Sequence, residues 1–277
     1  MTSTTLRIGT RGSALALAQT TTIAEAIAKK TGIATELVVI ATHGDRSLDS
    51  LATIGGTGIF ASALRDALLA GECDAVVHSL KDLPTAPTPG LVIAAIPKRA
   101  DARDALCARD GLTVDTLPPG SRVGTGSPRR MAQLHSRRPG LEVVDVRGNV
   151  DTRLSKVAKG ELDAVILAAA GLGRLDRTDD ITEWLELDAW PTAPGQGALA
   201  VEVRKGDEKL VSALDHSPTR TIVEAERHVL ARLEAGCTAP VGAHALIDEG
   251  MLFLSARVYS ADGSSTLTSS HALYVSD

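Results

Sequence analysis

The chain has 277 residues, of which 44% are hydrophobic and 23% charged, and its formal net charge is −5. That length exceeds the usual size of one core and predicts two or three domains, in a composition that is ordinary for a globular protein. Aromatic residues make up only 2%, which excludes base stacking on aromatic platforms as a main activity, and the acidic balance argues against a general nucleic-acid or anionic-membrane binder.

Leu6–Thr10 reads as a short strand, followed by the turn Arg11-Gly12-Ser13 and a helix to about Lys30, with Gly32 just past its end. Leu37–Ala41 reads as a buried strand, and Gly55 to Gly58 as a loop. The next helix carries Phe60, Leu64, Ala67 and Leu68 on one face and stops at Gly71. Asp74–His78 and Leu91–Pro97 are strands, and their alternation with helices predicts a parallel α/β architecture.

The pattern then restarts. Arg122-Val-Gly-Thr-Gly-Ser resembles Arg7-Ile-Gly-Thr-Arg-Gly-Ser, and Gly160-Glu-Leu-Asp-Ala-Val echoes Gly71-Glu-Cys-Asp-Ala-Val, in the same order. The expected fold is α/β: two domains on one plan, similar to the two lobes of type II periplasmic binding proteins, plus a small α+β C-terminal domain. Residues 1–97 with 198–215 form the first domain, 98–197 the second and 216–277 the third. Ala198–Val203 is a strand returning to the first domain. A long helix starts with Ser217 as N-cap and Pro218 as first helical residue, carries Ile222, Ala225, Val229 and Leu233 on one face, and ends at Gly236. Met251–Tyr259 and Leu267–Val275 alternate as half-buried strands.

Met1 to Arg7 lacks the apolar run of a secretory signal, and no eighteen consecutive residues are apolar. Cys73, Cys107 and Cys237 are too widely spaced for a disulfide framework or a zinc site, and the histidines show no metal-ligand spacing. A reducing, cytoplasmic compartment is expected, with no metal and no membrane.

Both strand–turn–helix junctions aim backbone N–H groups and hydroxyls at one point, Ser13 at the first and Thr125 and Ser127 at the second. Arg11, Arg129, Arg130, Arg147, Arg153 and Arg174 fall at predicted strand ends or helix starts, where parallel sheets place their ligand crevice. Several arginines on one cleft imply a ligand with several carboxylates or phosphates. Asp82, in His78-Ser-Leu-Lys-Asp-Leu-Pro, is an acid that cannot help bind an anion. It is open to a role in catalysis, beside a cationic intermediate, or in a plain ion pair with Lys81. Cys237 sits in a Gly/Pro loop, open to a role as nucleophile, as attachment point or as an inert thiol.

Together these segments resemble the porphobilinogen deaminase (hydroxymethylbilane synthase) family. The motifs are Gly-Thr-Arg-Gly-Ser-x-Leu-Ala-x-x-Gln at 9–19, His-Ser-x-Lys-Asp-x-Pro at 78–84 and Gly-Thr-x-Ser-x-Arg-Arg at 124–130. They continue with Arg-Gly-Asn-x-x-Thr-Arg at 147–153, Ala-Gly-Leu-x-Arg at 170–174, Gly-Gln-Gly-Ala at 195–198 and Glu-x-Gly-Cys-x-x-Pro-x-Gly at 234–242. The resemblance implies a transferase of tetrapyrrole and heme biosynthesis that joins four porphobilinogen molecules head to tail, with loss of ammonia, into linear hydroxymethylbilane. It implies a dipyrromethane cofactor held through a thioether to Cys237, and Asp82 as the catalytic carboxylate. Arg11, Ser13, Gln19, Phe60, Ser79, Lys81, Thr125, Ser127, Arg129, Arg130, Arg147, Arg153 and Arg174 would bind cofactor and substrate. The chain would work as a cytoplasmic monomer, with neither nucleic acid nor membrane as partner. Thr53 and Thr57 stand where the family commonly has lysines, and the helix with which relatives usually end is missing after the last strand. The rival expectation is a non-enzymatic polycarboxylate-binding protein of the same two-lobed fold, which has no use for Asp82 or Cys237.

Overall fold

The computed structural model describes residues 5–41, 59–236 and 239–275, with the backbone alone at Ile59 and Phe60. The expected loop 55–58, with Thr53 and Thr57, lies outside the described residues, and so does Cys237. The chain divides into two compact units, Met1–Ala100 with Ala198–Thr221, and Asp101–Gly197 with Ile222–Asp277.

In the first unit β1 (Leu6–Thr10) leads into α1 (Ala14–Thr31), and β2 (Thr35–Val39), α2 (Ile59–Leu69), β3 (Ala75–Ser79) and β4 (Leu91–Ala95) follow. The sheet order is β2-β1-β3-β10-β4, where β10 (Leu199–Arg204) returns from much later in the chain. β1 pairs in parallel with β2 and β3, whereas β10 runs antiparallel to both β3 and β4. The sheet is therefore mixed: one antiparallel strand, β10, stands among the expected parallel ones. Ile8, Ile23, Ile27, Val77, Val201 and Val203 fill the core between α1 and the sheet.

The second unit repeats the plan. β5 (Asp104–Ala108) precedes β6 (Arg122–Gly124), α3 (Pro128–Arg137), β7 (Glu142–Val144), α4 (Val150–Ala158), β8 (Ala164–Ala168), α5 (Ala169–Arg174) and β9 (Glu183–Leu185). The order is β7-β6-β8-β5-β9, with β5 antiparallel to its two neighbours. Position for position this matches the first sheet, β5 standing where β10 stands there. The glycines that open both repeats have the same cause. A Cβ on Gly9 would lie 2.9 Å from the Cys73 sulfur, and one on Gly124 would lie 2.7 Å from Leu162.

α6 (Ser217–Arg232) then leads to an antiparallel sheet in the order β11 (Val241–Asp248), β12 (Met251–Tyr259) and β13 (Thr266–Tyr274). This small C-terminal sheet sits against α3 at backbone distance. A Cβ on Gly263 would collide with the Ala132 carbonyl and lie 2.9 Å from the Ser136 nitrogen. The Tyr259 hydroxyl accepts a hydrogen bond from Gln133 at 3.1 Å, and the Ala243 N–H donates to the Thr192 carbonyl at 2.9 Å.

Several local expectations are corrected. Among the described residues β2 pairs only with β1, and as an edge strand it leaves Leu37 and Val39 exposed. The α6 N-cap is His216, whose Nδ1 accepts the Thr219 N–H at 3.2 Å; Ser217 is already helical. The buried face is Thr219, Val223, Glu226 and Leu230, one residue on from the expected stripe, and Leu233 is half exposed. The helix stops at Glu234, which takes a left-handed φ of 50°, with the Ala235 N–H bonded back to the Leu230 carbonyl. β13 has no buried face, because β12 covers one edge and nothing described covers either side of it. Leu267 is 73% exposed although it pairs with Val258, which is partly covered. Native-state hydrogen exchange should therefore show lower protection across 251–274 than across Ala75–Ser79 or Ala164–Ala168. Equal protection would show that the three-stranded sheet opens no more easily than the central strands.

Candidate functional site

Each unit carries its own set of candidate site residues near the C-terminal ends of its parallel strands. In the first unit Ser13 caps α1, its hydroxyl accepting the Ala16 N–H at 3.3 Å, and Arg11 sits in the turn before it. Gln19, buried one turn into α1, donates to the Ser79 hydroxyl at 3.0 Å and so ties the helix to the end of β3. The chain then makes a single 3-10 turn, Leu80–Asp82, which buries Leu80 and leaves Asp82 exposed. Arg11, Gln19, Ser79 and Asp82 line one pocket together with Ala16, Ala61, Val77 and His78. Lys81 lies in the same turn as Asp82. At Phe60 the side chain is outside the described residues.

In the second unit Ser127 caps α3, with Pro128 at the first helical position, and the buried Thr125 hydroxyl accepts the Ser127 N–H at 3.2 Å. Arg147 follows β7, 3.3 Å from Asp145, and Asn149 caps α4, which carries Arg153. Arg174 ends α5 and donates to the Gly197 carbonyl at 2.7 Å. Burial, and then the like charges of Arg130 and Arg147, push the Arg153 guanidinium down to about 10. Burial alone brings Arg174 to about 10 as well. Both remain cations at neutral pH. Among the described residues each donates to a backbone carbonyl and neither has a carboxylate partner.

Arg129 and Arg130 are placed differently from the other arginines. Both are buried and both grip Asp104, at 2.9 and 2.6 Å. Arg129 also reaches Gln133 and the Pro191 carbonyl, and Arg130 the Ile166 carbonyl. Trp190 and Gln196 donate to the same carboxylate at 3.0 and 2.8 Å. Burial alone would raise the Asp104 pKa. The charges of Arg129 and Arg130 and the hydrogen bonds outweigh it and hold the carboxyl far below its usual range.

Sequence reasoning missed Asp104 and also Glu202, a buried carboxylate on β10. Glu202 accepts both arms of Arg65 at 2.9 Å and lies 3.2 Å from the His78 Nε2. A usable signal existed in each case. Both acids interrupt or abut apolar strand runs, Asp-Ala-Leu-Cys-Ala and Leu-Ala-Val-Glu-Val-Arg, where an unpaired charge would be prohibitive. Cys73 and Cys107 are buried free thiols, Cys107 being pushed up to about 12 by burial, so neither is an activated nucleophile.

The fold and the placement of the candidate residues define an α/β protein whose helix N-termini and arginines suit a polyanionic ligand. Residues 6–212 match the family described as porphobilinogen deaminase, dipyromethane cofactor binding domain, and residues 221–272 match its C-terminal domain. The chain belongs to the porphobilinogen deaminase family. It is 64% identical over 274 residues to a porphobilinogen deaminase of Leifsonia xyli, covering 96% of this chain and 83% of that protein. To the enzyme of Thermobifida fusca it is 54% identical, over 100% of this chain and 88% of the relative. To that of Mycobacterium tuberculosis it is 53% identical, over 96% and 89%. Among solved structures it is similar to a periplasmic substrate-binding protein of Coxiella burnetii, at 14% identity and a TM-score of 0.49, covering 81% of this chain and 96% of that one.

The cofactor that the family implies fits the residues present. A dipyrromethane with anionic side chains needs cations that no carboxylate grips directly, and among the described residues Arg153 and Arg174 are such cations.

Proposed function

We propose that the chain is a hydroxymethylbilane synthase whose helix starts and arginines bind the carboxylates of the growing chain of pyrroles. It joins four porphobilinogen molecules head to tail, with loss of ammonia, on a dipyrromethane primer, as a step of tetrapyrrole and heme biosynthesis. The observation that carries this reading is the match of residues 6–212 to the cofactor-binding domain of the family.

When bound, the dipyrromethane supplies the end to which each new pyrrole is joined. The chain's own residues divide the remaining work. Asp82, at the pocket mouth with Arg11, accepts pyrrole N–H groups and offsets the positive charge that develops as ammonia leaves. The Ser13 and Ser127 helix starts, with Arg11, Lys81, Arg147, Arg153 and Arg174, bind the carboxylate side chains. Arg129, Arg130 and Thr125 support the second helix start from behind, and Gln19 and Ser79 hold the first pocket in shape. Phe60 is assigned to cofactor and substrate binding on its motif alone. The attachment point is Cys237, and residues 216–277 form the attachment domain. The buried reduced thiols support a cytoplasmic setting, and the chain acts as a monomer on a small-molecule substrate. Among the described residues no helix is long and apolar enough to cross a membrane.

The test is covalent. Intact-protein mass should exceed the sequence mass, the purified protein should colour with Ehrlich's reagent, and a peptide map should place the excess on Cys237. Excess mass on Cys73 or Cys107, or an unmodified and fully active enzyme, would sink the assignment.

A further inference from the structure

His78 stands directly opposite Ala200 in the β3–β10 ladder. Side chains alternate along a strand, so Glu202 projects from the same face as Ala200 and lies diagonally beside His78. α2 brings Arg65 to that face, where its fork takes both Glu202 oxygens at 2.9 Å. The third partner of this buried carboxylate is the His78 Nε2 at 3.2 Å. An ionised carboxylate only accepts hydrogen bonds, so Nε2 carries a proton in this contact. Among the described residues Nδ1 has no hydrogen-bond partner, and His78 is one of the residues that line the pocket with Asp82, Arg11, Gln19 and Ser79. A carboxylate bound to one nitrogen of an imidazole beside a substrate pocket is an arrangement suited to an oriented general base. Asp82 is fitted for a different task, because a carboxylate that offsets developing positive charge must stay ionised throughout.

We propose that His78 is a catalytic base of the coupling step, oriented by Glu202 and Arg65. The proposal rests on the head-to-tail coupling described above. Each coupling breaks the carbon–nitrogen bond of the substrate's aminomethyl group, and the electron pair leaves with ammonia. A carbon–carbon bond forms between the methylene carbon and an unsubstituted ring carbon of the partner pyrrole. That ring carbon must then lose its hydrogen. The proton goes to His78 Nδ1, the carbon–hydrogen electron pair returns to the ring, and His78 hands the proton to water on the open side of the pocket.

The experiment uses the complete protein carrying its cofactor and porphobilinogen deuterated at its unsubstituted ring carbon. In His78→Gln, turnover should fall by about 10²-fold, and a primary deuterium isotope effect should appear that the wild type lacks or shows more weakly. A merely structural histidine could slow turnover without moving the isotope effect. Wild-type turnover and an unchanged isotope effect in this variant would overturn the proposal while leaving the overall function standing. Absence of hydroxymethylbilane release by the wild type would instead overturn the reading on which it rests. Independently of activity, 15N spectra of the wild type should show His78 protonated on Nε2 and bare on Nδ1. A proton on Nδ1 would refute the base role even if His78→Gln failed to fold.

Discussion

Asp82→Asn is expected to lower turnover by about 10²–10³-fold, the usual cost of removing one preorganised electrostatic partner of a transition state. The substitution keeps shape and removes charge. Asp82 is exposed at the end of a 3-10 turn, so the fold should be unaffected. Cofactor attachment should persist as well, which separates this variant from one that fails to load. Single-turnover kinetics on protein of verified mass would measure the step directly. Near-normal turnover would remove Asp82 from the chemistry and leave its pocket a binding feature.

Asp104→Ala should be the most destabilising single change in the second unit, at about 3–5 kcal/mol, since it strands two buried guanidinium groups. Asp104 is fully buried, and its loss also removes the acceptor of Trp190 and Gln196. The pH dependence has a definite sign. The folded carboxyl titrates below the unfolded one, so its contribution is complete above the unfolded pKa of about 4 and disappears only as pH falls through the folded value. Denaturant titrations of wild type and variant at neutral pH and at increasing acidity should show the gap between them narrowing only on the acid side. A gap that is small at neutral pH would mean that water or a relaxed Gln133 satisfies both arginines.

How much of this was legible beforehand depends on whether the cause was local. The helix starts at Ser13 and Ser127 and the stop at Gly32 follow from hydroxyl caps and a left-handed glycine, and these are local chemistry. The two-repeat plan was readable because Gly9 and Gly124 are required by the same close approach to a neighbouring strand. The inward turn of Arg129 and Arg130 was not readable, because their partner Asp104 lies some 25 residues away in an unremarkable run. The antiparallel strand in each sheet was also invisible, since an apolar run carries no mark of direction. β13 alternates like a half-buried strand, but burial is supplied by neighbours, and the pattern cannot say whether they are there. At α6 the usual preference for serine as N-cap was overridden by His216, whose ring does the same job one residue earlier.

The return of β10 between β3 and β4 has a consequence for how the protein is made. β3 and β4 do not pair with each other, and the strand that joins them arrives only after Leu199 has been synthesised. The second unit's five strands, by contrast, are contiguous from Asp104 to Leu185. On a ribosome that second sheet can be complete while the first still has two open edges, so the sheet begun first is the later of the two to close. Closing the gap brings together segments roughly 100 residues apart, a modest entropic cost because closure grows only logarithmically with length. The exposure lies in the waiting time. Until β10 emerges, the inner edges of β3 and β4 offer unpaired backbone to any other strand, and nascent chains stalled before residue 199 are the form of this protein most in need of a chaperone.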